Sequence, residues 1–196
     1  MFEKLYKIFG MQGVHYLATR FGGSRIRGLA FDQKYSDGSW LKLDEKSDPE
    51  IVELVEKYAK KGRILDVGCG PGVLSTSLNR ESFTHYLGVD ISEEALALAK
   101  KREDERITFR HGDIEVFESE EKFDLIIFEE TLYYLPFSHK KILERYTRML
   151  KSDGLFLVTF IEPKRHTKII EMIQSDFSVR EETNSLISSR LFLIFR

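Results

Sequence analysis

The stretch Ile64-Leu65-Asp66-Val67-Gly68-Cys69-Gly70-Pro71-Gly72-Val73-Leu74-Ser75 decides the fold of this chain. It predicts a short apolar strand that enters a glycine-rich turn, followed by a helix with apolar periodicity. Glycines at alternate positions keep side chains away, so that backbone N–H groups of the turn can lie against a ligand. Asp66, at the end of the strand, is expected to face the same crevice. In an open α/β sheet, ligands bind in that crevice, at the carboxyl ends of the strands.

The spacing of the glycines distinguishes between cofactor classes. A dinucleotide fingerprint, G-x-G-x-x-G, would need a third glycine where this chain has Val73 or Ser75. A Walker loop would end in Gly-Lys-Ser/Thr, and no lysine follows Gly72. The pattern present, D-x-G-x-G-x-G, resembles motif I of the class I S-adenosylmethionine-dependent methyltransferases. A plain strand-turn-helix with packing glycines would show the same residues, so the interpretation depends on the segments that follow.

The composition is that of an ordinary globular domain. The chain has 196 residues, of which 42% are hydrophobic and 32% charged, enough for one domain with a proper core. A net charge of −2 argues against a general nucleic-acid binder, and one cysteine excludes a disulfide framework or a Cys-rich metal site. Apolar runs are too short to span a membrane, and Glu3, Lys4 and Lys7 interrupt any signal peptide. We therefore expect a cytoplasmic protein with no membrane partner and no metal.

Residues 1–47 do not follow the pattern of the rest of the chain and are predicted to form a separate N-terminal segment. Apolar residues at helical spacing predict a short amphipathic helix at its start; they are Phe2, Leu5, Ile8 and Phe9. A glycine- and arginine-rich loop is expected over 21–28. It is followed by an aromatic segment with Phe31, Tyr35 and Trp40.

Two interpretations of residues 1–47 remain open. They form an arm that packs on the domain or on a second copy of the chain, or a helical, aromatic lid that closes over a cofactor and supplies substrate contacts. Lids of this kind are usual in small methyltransferases similar to this chain, so the resemblance favours the lid. Its basic residues could bind an anionic substrate or form a solvated face; they are Lys4, Lys7, Arg20, Arg25 and Arg27.

Residues 48–196 are predicted to form one α/β domain. Asp48-Pro49-Glu50 predicts a helix start, with a capping carboxylate before a proline, and Gly62 is expected to end that helix. Strands are expected near 64–67, 86–90, 107–110, 123–128 and 155–160, with a helix over 138–150, a turn at Asp153-Gly154 and final strands near 177–185 and 190–196. Strand-helix alternation predicts a doubly wound, mostly parallel seven-stranded sheet of the Rossmann-like type. The last two strands should form an antiparallel C-terminal hairpin, an ending that also resembles the methyltransferase fold.

Acidic residues follow the second and third predicted strands. Asp90 lies where an acid about 20 residues beyond the glycine turn binds ribose hydroxyls. Ile91 would then lie against one face of the adenine. His111-Gly112-Asp113-Ile114 resembles motif III of the same family, which implies that Asp113 and Ile114 contact the adenine. The resemblance to motif I likewise implies cofactor contacts for Asp66, Gly68, Cys69, Gly70 and Gly72, although the Cys69 thiol is expected to pack rather than to react.

The fourth strand and its continuation, 123–136, match motif IV of small-molecule methyltransferases. Glu129 follows this strand, where the resemblance implies a backbone contact to the cofactor's amino group and carboxylates that favour its sulfonium. The N/D-P-P-Y/F element of nucleic-acid methyltransferases is absent here. The run Glu130-Thr131-Leu132-Tyr133-Tyr134 is similar to that of nodulation-type N-methyltransferases, so Glu130 and one tyrosine, Tyr134, are our candidates to face the acceptor. An aromatic core is the alternative role for both tyrosines.

Together these motifs predict a methyltransferase that binds S-adenosyl-L-methionine and methylates a small molecule by in-line displacement. The sequence does not identify the acceptor or the accepting atom, and it leaves open whether the protein is a monomer or a homodimer. A non-catalytic cofactor-binding module is one alternative. A nicotinamide-dependent oxidoreductase on the same sheet is another, disfavoured by the missing third glycine of the dinucleotide fingerprint.

Overall fold

A computed structural model describes residues 17–18, 22–37, 40, 46–135 and 139–196. The strands in this part of the chain are β1 Gly62–Val67, β2 Phe83–Asp90, β3 Ile107–His111, β4 Phe123–Phe128, β5 Leu150–Ile161, β6 Val179–Asn184 and β7 Arg190–Phe195. They form one sheet in the order β3-β2-β1-β4-β5-β7-β6. Strands β1 to β5 are parallel, and β7 lies antiparallel between β5 and β6. The predicted mostly parallel sheet with a C-terminal hairpin is confirmed.

Helices cover both faces of the sheet. They are α1 Ser24–Ser36, α2 Pro49–Ala59, α3 Val73–Ser77, α4 Glu93–Ala99, α5 His139–Thr147 and α6 Thr167–Asp176. Alternate residues of β4 belong to two separate buried clusters: Ile126 packs with residues of α5 and α6, whereas Ile127 packs with residues of α2 and α4. This alternation follows from the two-residue period of a strand, and it makes both faces of the sheet apolar.

Side chains cap the starts of two helices, one of them at the predicted Asp48. The Asp48 carboxylate accepts a hydrogen bond from the Glu50 N–H at 2.9 Å, with Pro49 as the first residue of α2. The Ser92 hydroxyl accepts from the Ala95 N–H at 3.1 Å at the start of α4. Each such cap satisfies an otherwise unpaired amide and contributes about 1 kcal/mol.

The predicted end of α2 at Gly62 is wrong. The helix ends at Ala59, Lys60 takes the left-handed conformation with φ of 51°, and Gly62 begins β1. Gly62 is required for a different reason, because a Cβ there would lie 2.2 Å from the carboxyl group of Asp124. That carboxylate accepts hydrogen bonds from the Arg63 N–H at 2.6 Å and from Lys151 at 2.8 Å, so it has little room to move.

The loop predicted over 21–28 is also wrong, since α1 begins at Ser24. This helix lacks a continuous apolar stripe, so its residues do not show the apolar periodicity that predicts a helix. Contacts with the rest of the domain hold it instead. The Arg27 guanidinium donates to Asp113, and the Asp32 carboxylate accepts from the Ser92 hydroxyl at 2.7 Å and from the Glu94 N–H at 3.2 Å.

The segment between α5 and β5 differs from its prediction in two boundaries. Helix α5 ends at Thr147, and Leu150 already belongs to β5, because it pairs with Phe123 of β4. The expected turn at Asp153-Gly154 is a register shift inside β5, after which Leu155 pairs with Leu125.

Some predictions lie outside the described residues. They include the helix over 2–9, the basic side chains at 4, 7 and 20, and the expected start of α5 at 138. Among the helices that are described, none combines the length and apolar character needed to cross a bilayer.

We predict that Gly62→Ala lowers the free energy of unfolding by about 1–3 kcal/mol, because the new methyl group must displace the Asp124 carboxylate. Urea denaturation measures this change. Gly23→Ala is the control, since no atom lies within 4 Å of a Cβ added there. It should alter stability by less than about 0.5 kcal/mol. Equal effects of the two substitutions would refute the close contact at Gly62.

Candidate functional site

Strand register brings three acidic side chains to the carboxyl edge of the sheet. Asp66 of β1 pairs with Gly88 of β2 on one side and with Ile127 of β4 on the other. Asp90 and Glu129 lie two residues beyond these partners. Because residues two apart in a strand share a face, the three carboxyl groups point into the same crevice. The sequence expectation that Asp66 and Asp90 face one crevice agrees with this placement.

The crevice consists of two adjoining chambers of about 180 and 190 Å³. Tyr35, Gly68, Glu129 and Glu130 line both of them. The first chamber extends toward β2 and β3 and is also lined by Asp90, Ile91, Asp113, Ile114 and Tyr134. The second extends toward the start of α2 and is also lined by Asp48, Asp66, Cys69, Gly70 and Arg190. Of the predicted site residues, Gly72 alone lines neither chamber.

The glycine turn needs its glycines for backbone conformation and close packing. Gly68, Gly70 and Gly72 all have positive φ, of 79°, 53° and 76°. A Cβ at Gly68 would also lie 2.4 Å from the Thr131 side chain, across the crevice floor. At Gly72 it would meet the ring of Phe109 at 2.5 Å, which shows that this glycine serves packing. Larger residues therefore fit none of these positions without strain.

The backbone N–H groups of this turn are bonded within the protein, contrary to the expectation that they lie free against a ligand. The Gly68 and Cys69 amides donate to the Val89 carbonyl at 2.7 and 3.2 Å. The Gly70 amide donates to the Asp90 carboxylate at 2.8 Å. Cys69 packs beside the apolar cluster under α2 and α4, and burial raises the pKa of its thiol well above the ordinary value. A thiol kept neutral by burial is a poor nucleophile, as predicted for a packing residue.

Asp90 is held rigidly at the wall of the first chamber. One carboxylate oxygen accepts from the Gly70 N–H and the other from the Ser92 N–H, both at 2.8 Å. These two bonds fix the carboxylate plane and leave further lone pairs for a ligand. Burial outweighs the two bonds and raises the pKa of Asp90.

Helix α1 lies across the first chamber. Arg27, buried, donates to the carboxylates of Asp113 at 2.7 Å and Glu115 at 2.8 Å, and the Ser24 hydroxyl also donates to Asp113. Burial opposes ionisation of Asp113, but the bond from Ser24 and the adjacent Arg27 lower its pKa overall. The suggestion that Arg27 meets an anionic substrate is therefore wrong, because two carboxylates of the protein already neutralise it. Arg25 is exposed.

The second chamber holds two carboxyl groups with raised pKa values. Burial raises the pKa of Asp66 to about 7, against the bond that its carboxylate accepts from the Tyr86 hydroxyl. Burial, with the charges of Asp66 and Glu130, raises the pKa of Glu129 to about 8. The Oδ1 atom of Asp66 is buried and has no hydrogen-bond partner among the described residues. A site with clustered acids and an unsatisfied carboxylate oxygen is complementary to a cation.

Glu130 lies between the chambers in an unusual backbone conformation. Its φ is 50°, in the left-handed region that non-glycine residues rarely adopt, and its N–H donates to the Thr159 hydroxyl at 2.9 Å. Its carboxylate accepts from Arg190, which also pairs with Asp48. Such backbone strain persists where surrounding contacts enforce it, often at functional sites.

The two neighbouring tyrosines have different surroundings. Tyr133 stacks on His166 with ring centroids 4.3 Å apart and packs against the core beneath α5 and α6. Tyr134 lines the first chamber and is 38% exposed. Burial, followed by the charge of Glu130, raises the pKa of the Tyr134 hydroxyl. The structure thus brings Tyr134 and Glu130 to one chamber and places Tyr133 in the core role that the sequence left open.

Several residues of the crevice escaped the sequence analysis. Arg190 carries no local signal, because it lies in the last strand and reaches the crevice only through the β5–β7 pairing. Asp48 was identified only as a helix cap, although it also pairs with Arg190. Thr131 sits inside motif IV, and its closeness to Gly68 depends on the fold. No group of three or more His, Cys, Asp or Glu side chains in the described ranges is arranged to hold a metal ion.

Comparisons with known proteins agree with this fold. A family model described as a methyltransferase domain matches residues 59–190. The mitochondrial ubiquinone biosynthesis O-methyltransferase of Candida albicans is 31% identical over 125 residues, covering 60% of this chain and 38% of that enzyme. Ribosomal protein L11 methyltransferase of Dictyoglomus turgidum is 29% identical over 135 residues, covering 66% and 44%. The chain therefore spans less than half the length of these two relatives.

Structural similarity extends over more of the chain. The N-methyltransferase NodS from Bradyrhizobium japonicum WM9, solved in complex with S-adenosyl-L-homocysteine, superposes with a TM-score of 0.68 at 19% identity. The superposition covers 86% of this chain and 97% of that structure. With the family match over residues 59–190, the chain belongs to the methyltransferase domain family, within the class I S-adenosylmethionine-dependent superfamily.

We predict that Asp66→Asn stabilises the ligand-free protein at pH 8, because the amide removes a buried charge while still accepting from Tyr86. Since the folded pKa of about 7 exceeds the ordinary value, wild-type stability falls as pH rises from about 4 to 7. The gain in Asp66→Asn should grow over that window and level off above it, reaching on the order of 2–4 kcal/mol. Thermal and urea unfolding across pH measure it.

The matched control for this prediction is Asp153→Asn, whose carboxylate is 73% exposed and pairs only loosely with Lys60 at 3.7 Å. Its effect should be small and should not increase with pH over the same window. A gain in Asp66→Asn that is independent of pH would show that ionisation of Asp66 is not the cause.

Proposed function

We propose that this protein transfers a methyl group from S-adenosyl-L-methionine to a small-molecule acceptor bound in the first chamber. The observation that carries the proposal is the set of buried carboxyl groups at the sheet edge, with the Asp66 oxygen unsatisfied. A ligand with an ammonium group and a sulfonium would supply the positive charge that these groups need. When bound, this cofactor provides an electrophilic methyl group on a cationic sulfur with a neutral thioether as leaving group.

The residues present fit such a cofactor in one orientation. Asp66 and the backbone beyond β4 would hold its amino acid end in the second chamber. The fixed Asp90 carboxylate has lone pairs free for the two ribose hydroxyls. Ile91 and Ile114 line the first chamber beside Asp113 and would enclose the adenine. Glu130 lines both chambers and Tyr134 lines the first, so these two side chains would be placed near the acceptor.

The chain's own contribution to the reaction is alignment and electrostatics. In-line displacement needs the acceptor atom close to the methyl carbon, and holding it there supplies most of the rate enhancement. Helix α1, with Phe31 and Trp40, covers the first chamber and would exclude water from it. Glu130 is paired with Arg190, so we assign it to positioning and charge near the acceptor. Tyr134 would contact the acceptor directly.

A small-molecule acceptor is more compatible than a folded protein with a first chamber that is covered by the N-terminal segment. Four described side chains of the N-terminal segment line this chamber of about 180 Å³. They are Arg27, Phe31, Tyr35 and Trp40. A protein acceptor, as the name of the Dictyoglomus turgidum relative indicates for that enzyme, would need this segment to move aside. We therefore assign residues 1–47 the role of a lid.

The first test is a thermal-shift titration with S-adenosylmethionine, S-adenosylhomocysteine and NADH. We predict that either adenosyl ligand, at about 100 times its dissociation constant, adds roughly 2.7 kcal/mol of stability, whereas NADH adds none. Asp90→Asn should weaken both adenosyl ligands by about tenfold to a hundredfold, because it loses charged hydrogen bonds to the ribose.

The control for that titration is Asp104→Asn, an exposed acid near the start of β3 that bonds with Arg80 away from the crevice. This variant should bind both adenosyl ligands like the wild type. Stabilisation by NADH alone would overturn the methyltransferase proposal. Tight adenosyl binding without methyl transfer to any amine, phenol or carboxylate would point to a binding module instead.

We also predict that Glu130→Gln and Tyr134→Phe lower kcat by about tenfold, which corresponds to ~1.4 kcal/mol at the transition state. The Kd for S-adenosylhomocysteine should change by less than about threefold, because neither side chain is assigned to the cofactor. Tyr58→Phe and Glu171→Gln are the controls: the Tyr58 hydroxyl donates to Glu181 of β6 outside both chambers, and Glu171 is exposed on α6. Unchanged kcat in both test variants would remove these residues from the acceptor site.

A further inference from the structure

Among the residues that the structure describes, three basic side chains line the two chambers. They are Arg27, Lys46 and Arg190. Arg27 pairs with two acids of the loop after β3, and Arg190 pairs with one acid at the start of α2 and one after β4. Lys46, which lines the second chamber, is exposed and forms no ion pair with any described residue. It is therefore the one described cation of the crevice that remains available to a ligand.

The backbone that carries Lys46 is fixed beside the second chamber. Asp48, two residues further on, uses both oxygens of its carboxylate. One oxygen accepts from the Glu50 N–H at 2.9 Å, and the other pairs with Arg190 of β7. Ser47 and Asp48 line the same chamber as Lys46. The anchored start of α2 thus places the Lys46 ammonium group at the mouth of this chamber.

The amino acid end of the proposed cofactor carries two opposite charges on one carbon atom. The proposed orientation gives its ammonium group to Asp66, whose buried Oδ1 has no partner among the described residues. The carboxylate on the same carbon must then lie in the second chamber as well. The amides of residues 68–70 are already bonded to Val89 and Asp90, so they do not serve this carboxylate. Lys46 is a cation of the chamber that can neutralise it.

We infer that Lys46 binds the carboxylate of the cofactor's amino acid end, so that the second chamber recognises an α-amino acid zwitterion and selects against adenosyl compounds without the carboxylate. This inference rests on the proposed function and adds a binding residue to it. Arg190 is less suited to this role, because its guanidinium already pairs with Asp48 and Glu130. These two acids would also repel a carboxylate that approached from their side.

Lys46 belongs to residues 1–47, the segment to which we assign the role of a lid. Its contact attaches the end of this segment to the amino acid end of the cofactor. Arg27 and Asp32 attach α1 to the loops at the adenosine end. The segment is therefore held at both ends of the bound cofactor, and a ligand without the carboxylate lacks one of the two attachments.

The test compares three ligands by isothermal titration calorimetry with the full chain. S-adenosylhomocysteine carries both charges, its decarboxylated analogue S-adenosyl-3-thiopropylamine keeps only the ammonium group, and 5′-methylthioadenosine has neither. We expect the wild type to bind S-adenosylhomocysteine at least about threefold more tightly than the decarboxylated amine, as for an ion pair near the surface. None of the three ligands carries a sulfonium, so binding is measured without turnover.

Variants of Lys46 show whether this side chain causes the preference. Lys46→Ala should weaken S-adenosylhomocysteine by about threefold to tenfold and the decarboxylated amine by less than about twofold, because only the first has a carboxylate. Lys46→Arg keeps the charge and should bind S-adenosylhomocysteine within about twofold of the wild type. The matched control is Lys101→Ala, since Lys101 is exposed directly after α4 and lines neither chamber. This control should bind all three ligands like the wild type.

Equal weakening of S-adenosylhomocysteine and the decarboxylated amine in Lys46→Ala would overturn the inference, because the variant would then disturb the segment rather than a carboxylate contact. Unchanged affinity for S-adenosylhomocysteine in this variant would overturn it as well. In both cases the binding of adenosyl ligands to the wild type upholds the cofactor. If the folded wild type binds none of the three ligands, the proposed function itself fails, so the two failures are distinguishable.

Discussion

The crevice depends on a single constraint, which is the register that gathers Asp66, Asp90 and Glu129 at one edge of a parallel sheet. Burial raises the pKa of all three groups, and neighbouring charges add to it: Asp90 raises the pKa of Asp66, and Asp66 raises that of Glu129. The clustering of these acids follows from the parallel strands, because the carboxyl ends of neighbouring strands meet at the same edge and residues two apart share a face. The fold thus carries a cluster of acids that lowers its own stability at neutral pH.

The surrounding structure compensates for this cost with contacts drawn from distant parts of the chain. Arg190 of the last strand pairs with Glu130 and with the cap of α2, Asp48, and so brings a positive charge to the outer side of the acids. Backbone amides of the glycine turn and of the start of α4 hold Asp90. Glu130 remains in a left-handed conformation because its N–H is fixed by Thr159. Contacts that hold acidic groups in place despite their repulsion are characteristic of a preorganised binding site.

The sequence predicted the parts of this arrangement whose signals are local. The glycine turn and the acid that ends β2 each sit at a strand terminus, where a few residues determine both the turn and the direction of the side chain. Predicted strand boundaries were wrong where pairing with a neighbouring strand determines them. Leu150, for example, fits the helical pattern of α5 but pairs with Phe123 in the sheet. Helix α1 was not predicted for the opposite reason, because its residues lack an apolar stripe and polar bonds from Ser24, Arg27 and Asp32 attach it to the domain. Arg190 could not be found, since nothing in its strand indicates that it reaches β4.

Helix α1 covers the crevice, and its hydrogen bonds connect it to the loops that follow β3 and β2. Arg27 bonds to the acid that follows β3, and Asp32 bonds to the first turn of α4, directly after Asp90. A ligand that orders either loop therefore stabilises α1, and α1 in turn carries Phe31 to the wall of the first chamber. Ligands in the two regions would favour each other's binding through this helix, because each would contribute part of the free energy that holds it closed.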